Sequence, residues 1–267
     1  MSNSITPNNK TTIVNNNNSS KNTKFISKST IKRLISDVRY IKKNPLKSNN
    51  ILYSHDNENI LKGYACIIGY KDTPYEGGYY IFEFNFPEDY PHSPPVIKFI
   101  YDNSCRTRFN PNLYTNGKVC LSILNTWLGD AWSGCQTISS TLLSISTIFN
   151  DKPLLNEPGV SKYHKDFDTY NQIITYKNFE ISILKNLNSE FIKNNLNELY
   201  EYMINDFMEN YDNIFKNLLN KKENYNKFIK HNKTTFLKTN IYNMNYKINY
   251  DKLIDKIILL HLNLSNK

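Results

Sequence analysis

Between Tyr79 and Phe86 the sequence sets an aromatic ring at every second position, Tyr80, Phe82, Phe84 and Phe86. A period of two over that length is what a half-buried strand requires. Two further runs rich in β-branched and aromatic residues flank it, Ile60 to Tyr70 before and Val96 to Ile100 after. The links are short: a turn over Thr73–Gly78 and a corner at 87–95 that holds Pro87, Pro91, Pro94 and Pro95. Consecutive short strands joined by hairpin-length links specify an antiparallel meander.

Helical spacing brackets the meander. Ile31, Leu34, Ile35, Val38 and Ile41 recur as one face of an amphipathic helix, with Ser29 as its expected N-cap and Pro45 as its stop. Lys32, Arg33, Arg39, Lys42 and Lys43 make the opposite face basic. Downstream, Ile138, Leu142, Ile145 and Phe149 keep helical spacing in a stretch whose β-branched residues favour a strand; the period decides for a buried helix. After Pro158 the spacing predicts helices over Phe179–Leu187, Phe191–Leu219 and Leu253–Leu264, with the Tyr-rich stretches of 200–250 packing them together. The expected class is α+β, in three parts: a disordered, low-complexity tract at 1–27, a central domain at 28–160, and a helical extension at 161–267.

Composition removes several function classes. Four cysteines contain no CxxC pair, and no histidine stands at zinc-ligand spacing, so neither a disulfide framework nor a metal site is expected. Met1–Lys24 lacks an apolar signal core, and no stretch is apolar enough to span a membrane. These features predict a soluble intracellular protein of the cytoplasm or nucleus. The formal charge of +9 invites nucleic acid. However, the lysines are scattered singly among Asn and Tyr rather than gathered in a stripe, and docking onto an acidic protein uses the charge better.

The irregular segment from Tyr101 to Asp130 carries the chemistry, as long structureless segments in compact domains usually do. Asn112 and Cys120 are joined by a turn containing Gly117, one way to set an amide donor beside a nucleophile. Lys118 would favour the thiolate if the chain is extended there. A buried core thiol remains the plain alternative for Cys120, and an Asx-turn beside Pro111 the alternative for Asn112. None of the five histidines stands in a motif that would make it the base of a cysteine protease.

In order along 29–159, the basic-faced helix, Tyr75-Glu76-Gly77-Gly78, the corner from Phe86-Pro87 through Tyr90-Pro91 to Pro94-Pro95, the Asn112-to-Cys120 spacing and Trp132-Ser133 together resemble the ubiquitin-conjugating enzymes. The resemblance implies that family's fold, with a four-stranded antiparallel meander between an N-terminal helix and C-terminal helices. It implies that Cys120 accepts ubiquitin as a thioester from an activating enzyme and passes it to a protein lysine, directly or with a ligase. Asn112 matches the asparagine of the family's His-Pro-Asn motif, which supports the oxyanion or shapes the loop; Asn110 stands where histidine is usual. Glu157 lies where many members carry an aspartate that orients the lysine, or else is a surface acid. Lys32 and Arg33 fall on the face that docks the activating enzyme. His92, Gly134 and Cys135 replace the family's usual residues at positions that meet RING-type ligases. No cofactor is implied, since ATP belongs to the activating enzyme.

The segment around Trp127, the run Asn156–Gly159 and the extension look most like the large members, some of which use a non-standard activating enzyme and a second modifier. A conjugating enzyme for another ubiquitin-like modifier, or a non-catalytic ubiquitin-binding module of the same fold, are the alternatives.

Overall fold

The protein is described by a computed structural model covering residues 26–101, 106–234 and 236–266. The tract at 1–27, expected to be disordered, lies outside these residues except for Ile26 and Ser27, and Cys105 lies outside them too.

Helix α1 spans Lys28–Lys43 and ends at Asn44, just before Pro45. Its cap is Ser27 rather than the expected Ser29: extended backbone at Ser27 lets its hydroxyl accept from the Thr30 amide at 3.0 Å. The apolar face buries Leu34 and Ile41, together with one carboxylate, Asp37, which accepts from Arg33 (3.0 Å) and from the Tyr90 hydroxyl (2.6 Å).

Strands β1 (Ile51–His55), β2 (Lys62–Ile68), β3 (Tyr79–Asn85) and β4 (Val96–Ile100) follow, paired antiparallel in the order of the chain. The last three are the runs visible in the sequence; Ile51–His55 alternates too weakly to mark itself. One sheet face carries Tyr80, Phe82 and Phe84 opposite Ile67, Ala65 and Gly63. There the rings meet helix α2 (Ile138–Ser146) and the residues after it: Phe149 lies 4.6 Å from Tyr80 and 5.0 Å from Tyr75, centroid to centroid. Each fully buried ring contributes about 1.5–3 kcal/mol of transfer free energy.

The other face is buried as well over half its length. Tyr79, Ile81, Cys66 and Ile68 are all covered, so β3 is not the one-sided strand that its alternation predicts. The cover is the extension. Helix α3 (Phe167–Lys177) runs on without a break as a wider π-helical segment, Asn178–Lys185. Helices α4 (Glu190–Asn195), α5 (Asn197–Glu209), α6 (Tyr211–Asn232) and α7 (Tyr250–Ser265) complete it. Asp206 of α5 accepts from the Tyr79 hydroxyl at 2.9 Å, and Asn186 donates to the Tyr79 carbonyl at 2.8 Å. Burial of the Cys66 thiol on this face pushes its pKa up. At the uncovered end, Lys62 and Glu83 pair at 3.1 Å.

The helical spacing over Phe191–Leu219 is realised as parts of three helices, because the backbone leaves helical geometry at Leu196 and at Asn210. Between α6 and α7 the extension departs from helix altogether: β5 (Phe236–Lys238) and β6 (Asn245–Lys247) form a small antiparallel hairpin. One apolar cluster runs from Leu34 through the sheet to Leu260, so central domain and extension share a core. Among the described residues no helix is long and apolar enough to cross a membrane.

The π-helical segment turns Asn178 inward, where it accepts from the Tyr80 hydroxyl (2.6 Å) and donates to the Glu76 carbonyl (2.8 Å). This approach needs Gly78, since a Cβ there would stand 1.8 Å from Asn178 Oδ1. Gly78→Ala should therefore cost about 1–3 kcal/mol in urea unfolding. Adding Asn178→Ala should bring less than the additive loss, because the closest clash, with Asn178 Oδ1 and Cγ, is then removed.

Candidate active site

Residue 110 anchors the site. Asn110 is fully buried, and both amide hydrogens and the amide oxygen are engaged. Its Nδ2 donates to the Tyr75 hydroxyl (2.9 Å) and the Ile148 carbonyl (2.8 Å); its Oδ1 accepts from the Asn112 amide (2.9 Å) and from Asn156 (3.3 Å). Tyr75 in turn donates to the Phe109 carbonyl at 2.7 Å. Asparagine in place of histidine therefore still braces the loop, through more bonds than an imidazole's two nitrogens could make.

Beyond Pro111 the chain doubles back. Gly117 adopts φ +86, a left-handed turn that glycine enters freely, and its amide closes on the Tyr114 carbonyl at 2.9 Å. That return sets Asn112 directly across from Cys120. The Cys120 amide donates to the Asn112 carbonyl (2.8 Å), and Asn112 Nδ2 donates to the Cys120 carbonyl (2.7 Å). In this arrangement Asn112 fixes the backbone that carries the thiol, and an amide donor stands next to the sulfur's own residue.

The stretch after Cys120 folds over it. The thiol donates to the Thr126 carbonyl at 2.9 Å, and Cys120 is only 3% exposed. Thr126 is fastened by its hydroxyl, which accepts from the Leu121 amide at 2.9 Å and lies within 3.0 Å of the Val119 and Leu121 carbonyls. Trp132 pins the far end, its indole donating to the Pro91 carbonyl at 2.7 Å and its amide to Asn125 at 2.8 Å. The tip carries Trp127 and Leu128, 50% and 90% exposed. Lys118 is exposed, with its ammonium 5.7 Å from the Tyr114 ring centre.

Glu157 follows a short turn at Pro153–Asn156 and is half-buried. Its carboxylate accepts from the hydroxyl of Tyr242, on the connection between β5 and β6. Burial, then the bond to Glu157, pushes the Tyr242 phenol far above its usual pKa and keeps it a donor. Tyr242 holds φ 60, a conformation that costs a residue of its bulk on the order of 1–3 kcal/mol. Arg108, which nothing in the sequence marked, lies between two rings, with Cζ 3.5 Å from the Tyr114 centroid and 5.0 Å from that of Tyr242. Its guanidinium donates to the carbonyls of Asn110 (3.2 Å) and Pro111 (2.6 Å). The available signal was its place two residues before Asn110.

The remaining sequence candidates lie apart from this loop. Lys32 is exposed on α1, whereas Arg33 is committed inward, to Asp37, to the Gly134 carbonyl at 2.7 Å and to the Gln136 carbonyl. His92, Gly134 and Cys135 are exposed and adjoin one another, since a Cβ on Gly134 would lie 3.4 Å from the Pro91 carbonyl.

The site is a cysteine carried on a bonded loop beside a four-stranded meander and faced by an asparagine. The family model for ubiquitin-conjugating enzymes matches residues 33–177, more than half of the chain. The chain belongs to the ubiquitin-conjugating enzyme family. It is similar to ubiquitin-conjugating enzyme E2 Z of Danio rerio, 39% identical over 188 residues that cover 70% of this chain and 56% of that protein. With E2 Z of Homo sapiens it is 45% identical over 130 residues, 48% of this chain and 37% of the relative. With the probable ubiquitin-conjugating enzyme protein 17 of Caenorhabditis elegans it is 39% identical over 141 residues, 51% of this chain and 19% of the relative. The matched stretch thus spans little more than half the length of the curated relatives at best.

Asn110→Ala should destabilise the fold by about 2–3 kcal/mol, because the Tyr75 hydroxyl and the Ile148 carbonyl each lose one of their bonds and the Asn112 amide loses its partner. Thr126→Val keeps the shape but loses the hydroxyl bonds of the covering loop. It should speed iodoacetamide labelling of Cys120, followed on the isolated Cys120 peptide, with the melting temperature little changed; unchanged labelling would mean the loop is held by other contacts.

Proposed function

We propose that this chain accepts ubiquitin from an activating enzyme as a glycyl thioester on Cys120 and transfers it to a lysine of a protein substrate, directly or with a ligase. The observation that carries the reading is the reciprocal pair of bonds between Asn112 and Cys120, within a stretch that belongs to the family. In the first step the Cys120 thiolate attacks the thioester held by the activating enzyme, whose sulfur leaves. In the second a lysine amine attacks the Cys120 thioester, the carbonyl oxygen gains charge, the C–S bond breaks and an isopeptide bond remains. Asn112 acts in the second step, by donating to the oxyanion or by holding the loop that presents the carbonyl. Glu157 orients the incoming amine.

Residues 28–160 form the catalytic unit in this reading, and 161–267 its extension. The exposed basic face of α1, Lys32 and Arg39 foremost, docks the activating enzyme, while Arg33 serves mainly to tie α1 to the segment before α2. His92, Gly134 and Cys135 offer a contact for a ligase. A free-thiol nucleophile works in a reducing compartment, which supports the cytoplasm or nucleus as its place. The printed names of the relatives support ubiquitin as the modifier, and other ubiquitin-like proteins are the comparison arm of the test.

With ubiquitin, ATP and an activating enzyme, a thiol-sensitive adduct one ubiquitin heavier should appear on non-reducing gels and vanish in Cys120→Ala. Its absence with every activating enzyme and modifier supplied would favour the non-catalytic binding module. Asn112→Ala should still charge but discharge to lysine about 10²–10³ times more slowly. Reversing Lys32 and Arg39 to Glu should slow charging without altering the melting temperature; unimpaired charging would remove α1 from the docking surface.

A further inference from the structure

The hairpin between α6 and α7 reaches the candidate active site from far along the chain, and several bonds hold it there. Asp166, buried just before α3, accepts from the backbone amides of Asn240 (2.8 Å) and Ile241 (2.9 Å). Tyr246 of β6 meets the Thr107 hydroxyl at 2.9 Å. Between these anchors, Tyr242 and Asn243 both take left-handed backbone, with φ 60 and 49. Such a bend is uncommon for a bulky side chain and calls for surroundings that enforce it.

The bend places one side chain against both halves of the site. The Tyr242 hydroxyl donates to Glu157, and its ring is one wall of the slot that holds the Arg108 guanidinium, with Tyr114 as the other. Arg108 spends its donors on the carbonyls of Asn110 and Pro111, the segment that leads directly into Asn112. Tyr170 closes the slot from α3: its hydroxyl donates to the Arg108 carbonyl at 2.7 Å, and its ring lies 6.0 Å from that of Tyr242. A planar guanidinium stacked between rings loses the freedom to swing away, so its two carbonyl contacts stay aligned.

We propose that Tyr242 is a positioning residue for transfer of the acyl group from Cys120 to an amine. It acts through Arg108 on the segment carrying Asn112, and through its hydroxyl on Glu157. The assignment rests on the conjugating reading above. In the step concerned, the amine nitrogen bonds to the thioester carbonyl, the C–S bond breaks, the Cys120 thiolate leaves, and the amine's proton passes to Glu157 or water. Small misplacement of a donor or of the attacking amine slows such a step strongly, while formation of the thioester depends on the partner enzyme's docking. The extension thus supplies geometry to chemistry performed by the central domain.

The two functions of Tyr242 separate by substitution. Tyr242→Phe keeps the ring over Arg108 and removes the bond to Glu157; Tyr242→Ala removes both. Each protein would be charged with ubiquitin and its single-turnover discharge followed against free lysine concentration. Hydrogen exchange would be read at the Asn112 and Cys120 amides. Tyr242→Phe should raise the half-saturating lysine concentration about threefold or more and leave the maximal rate within about twofold. Tyr242→Ala should in addition lower the maximal rate about tenfold and speed exchange at both amides, and Arg108→Lys should share that loss of rate. Charging rates should stay at the wild-type level throughout. Normal discharge and normal exchange in Tyr242→Ala would overturn the assignment, as would equal losses of charging, discharge and thermal stability, which mark a structural role alone. A wild-type protein that forms no thioester would instead overturn the conjugating reading itself.

Discussion

The side-chain amide of Asn110 joins four regions of the chain: the turn before β3 through Tyr75, the end of α2 through Ile148, its own loop through Asn112, and the approach to Glu157 through Asn156. A buried amide without partners is costly, and one with all its capacity filled holds its neighbours to a single arrangement. Everything placed in the candidate site descends from that arrangement. Asn112 reaches the Cys120 carbonyl because its own amide is tied to Asn110. Glu157 follows directly on Asn156, which the same oxygen holds.

A second constraint comes from the extension. It does not sit beside the sheet as an added module; it forms the wall that half of the sheet's outer face requires. Asn178, Asn186 and Asp206 each place a polar group against β3 or the turn before it, and apolar residues fill the space between. The same chain segment then returns through its hairpin to Arg108 and Glu157. Core and site are thereby coupled: the residues that cover Tyr79 belong to the unit that touches the loop around Asn110.

Much of this was legible in the residue pattern. Alternation located β3, and helical periodicity located α1, α2 and the helical character of the extension. The spacing from Asn112 to Cys120 has a direct physical reason in the return turn at Gly117. What stayed hidden was set by tertiary partners. Ile51–His55 carries no clear alternation because its outer positions meet α5, as where Ser54 bonds to Glu198. The burial of Tyr79 and Ile81 cannot be read from β3 alone, since their cover lies a hundred residues or more downstream. Tyr242 and Tyr246 look like any other tyrosines of a Tyr-rich stretch, and the three-residue strands beside them are too short to show a period. Arg33 reads as one more basic residue on a helix face, and only the fold reveals that its donors are spent inside.

The reach of the extension bears on how the molecule can be divided. The match to the family model stops at Lys177, the last residue of α3, with Asn112, Cys120 and Glu157 all inside it. Yet a polypeptide ending there would strip the cover from Tyr79, Ile81, Cys66 and Ile68 and present a contiguous oily patch to water, the kind of surface that drives aggregation. The span of the family model and the span needed for independent folding therefore have different borders in this protein: the smallest piece that contains the reactive residues is smaller than the smallest piece expected to stay dissolved.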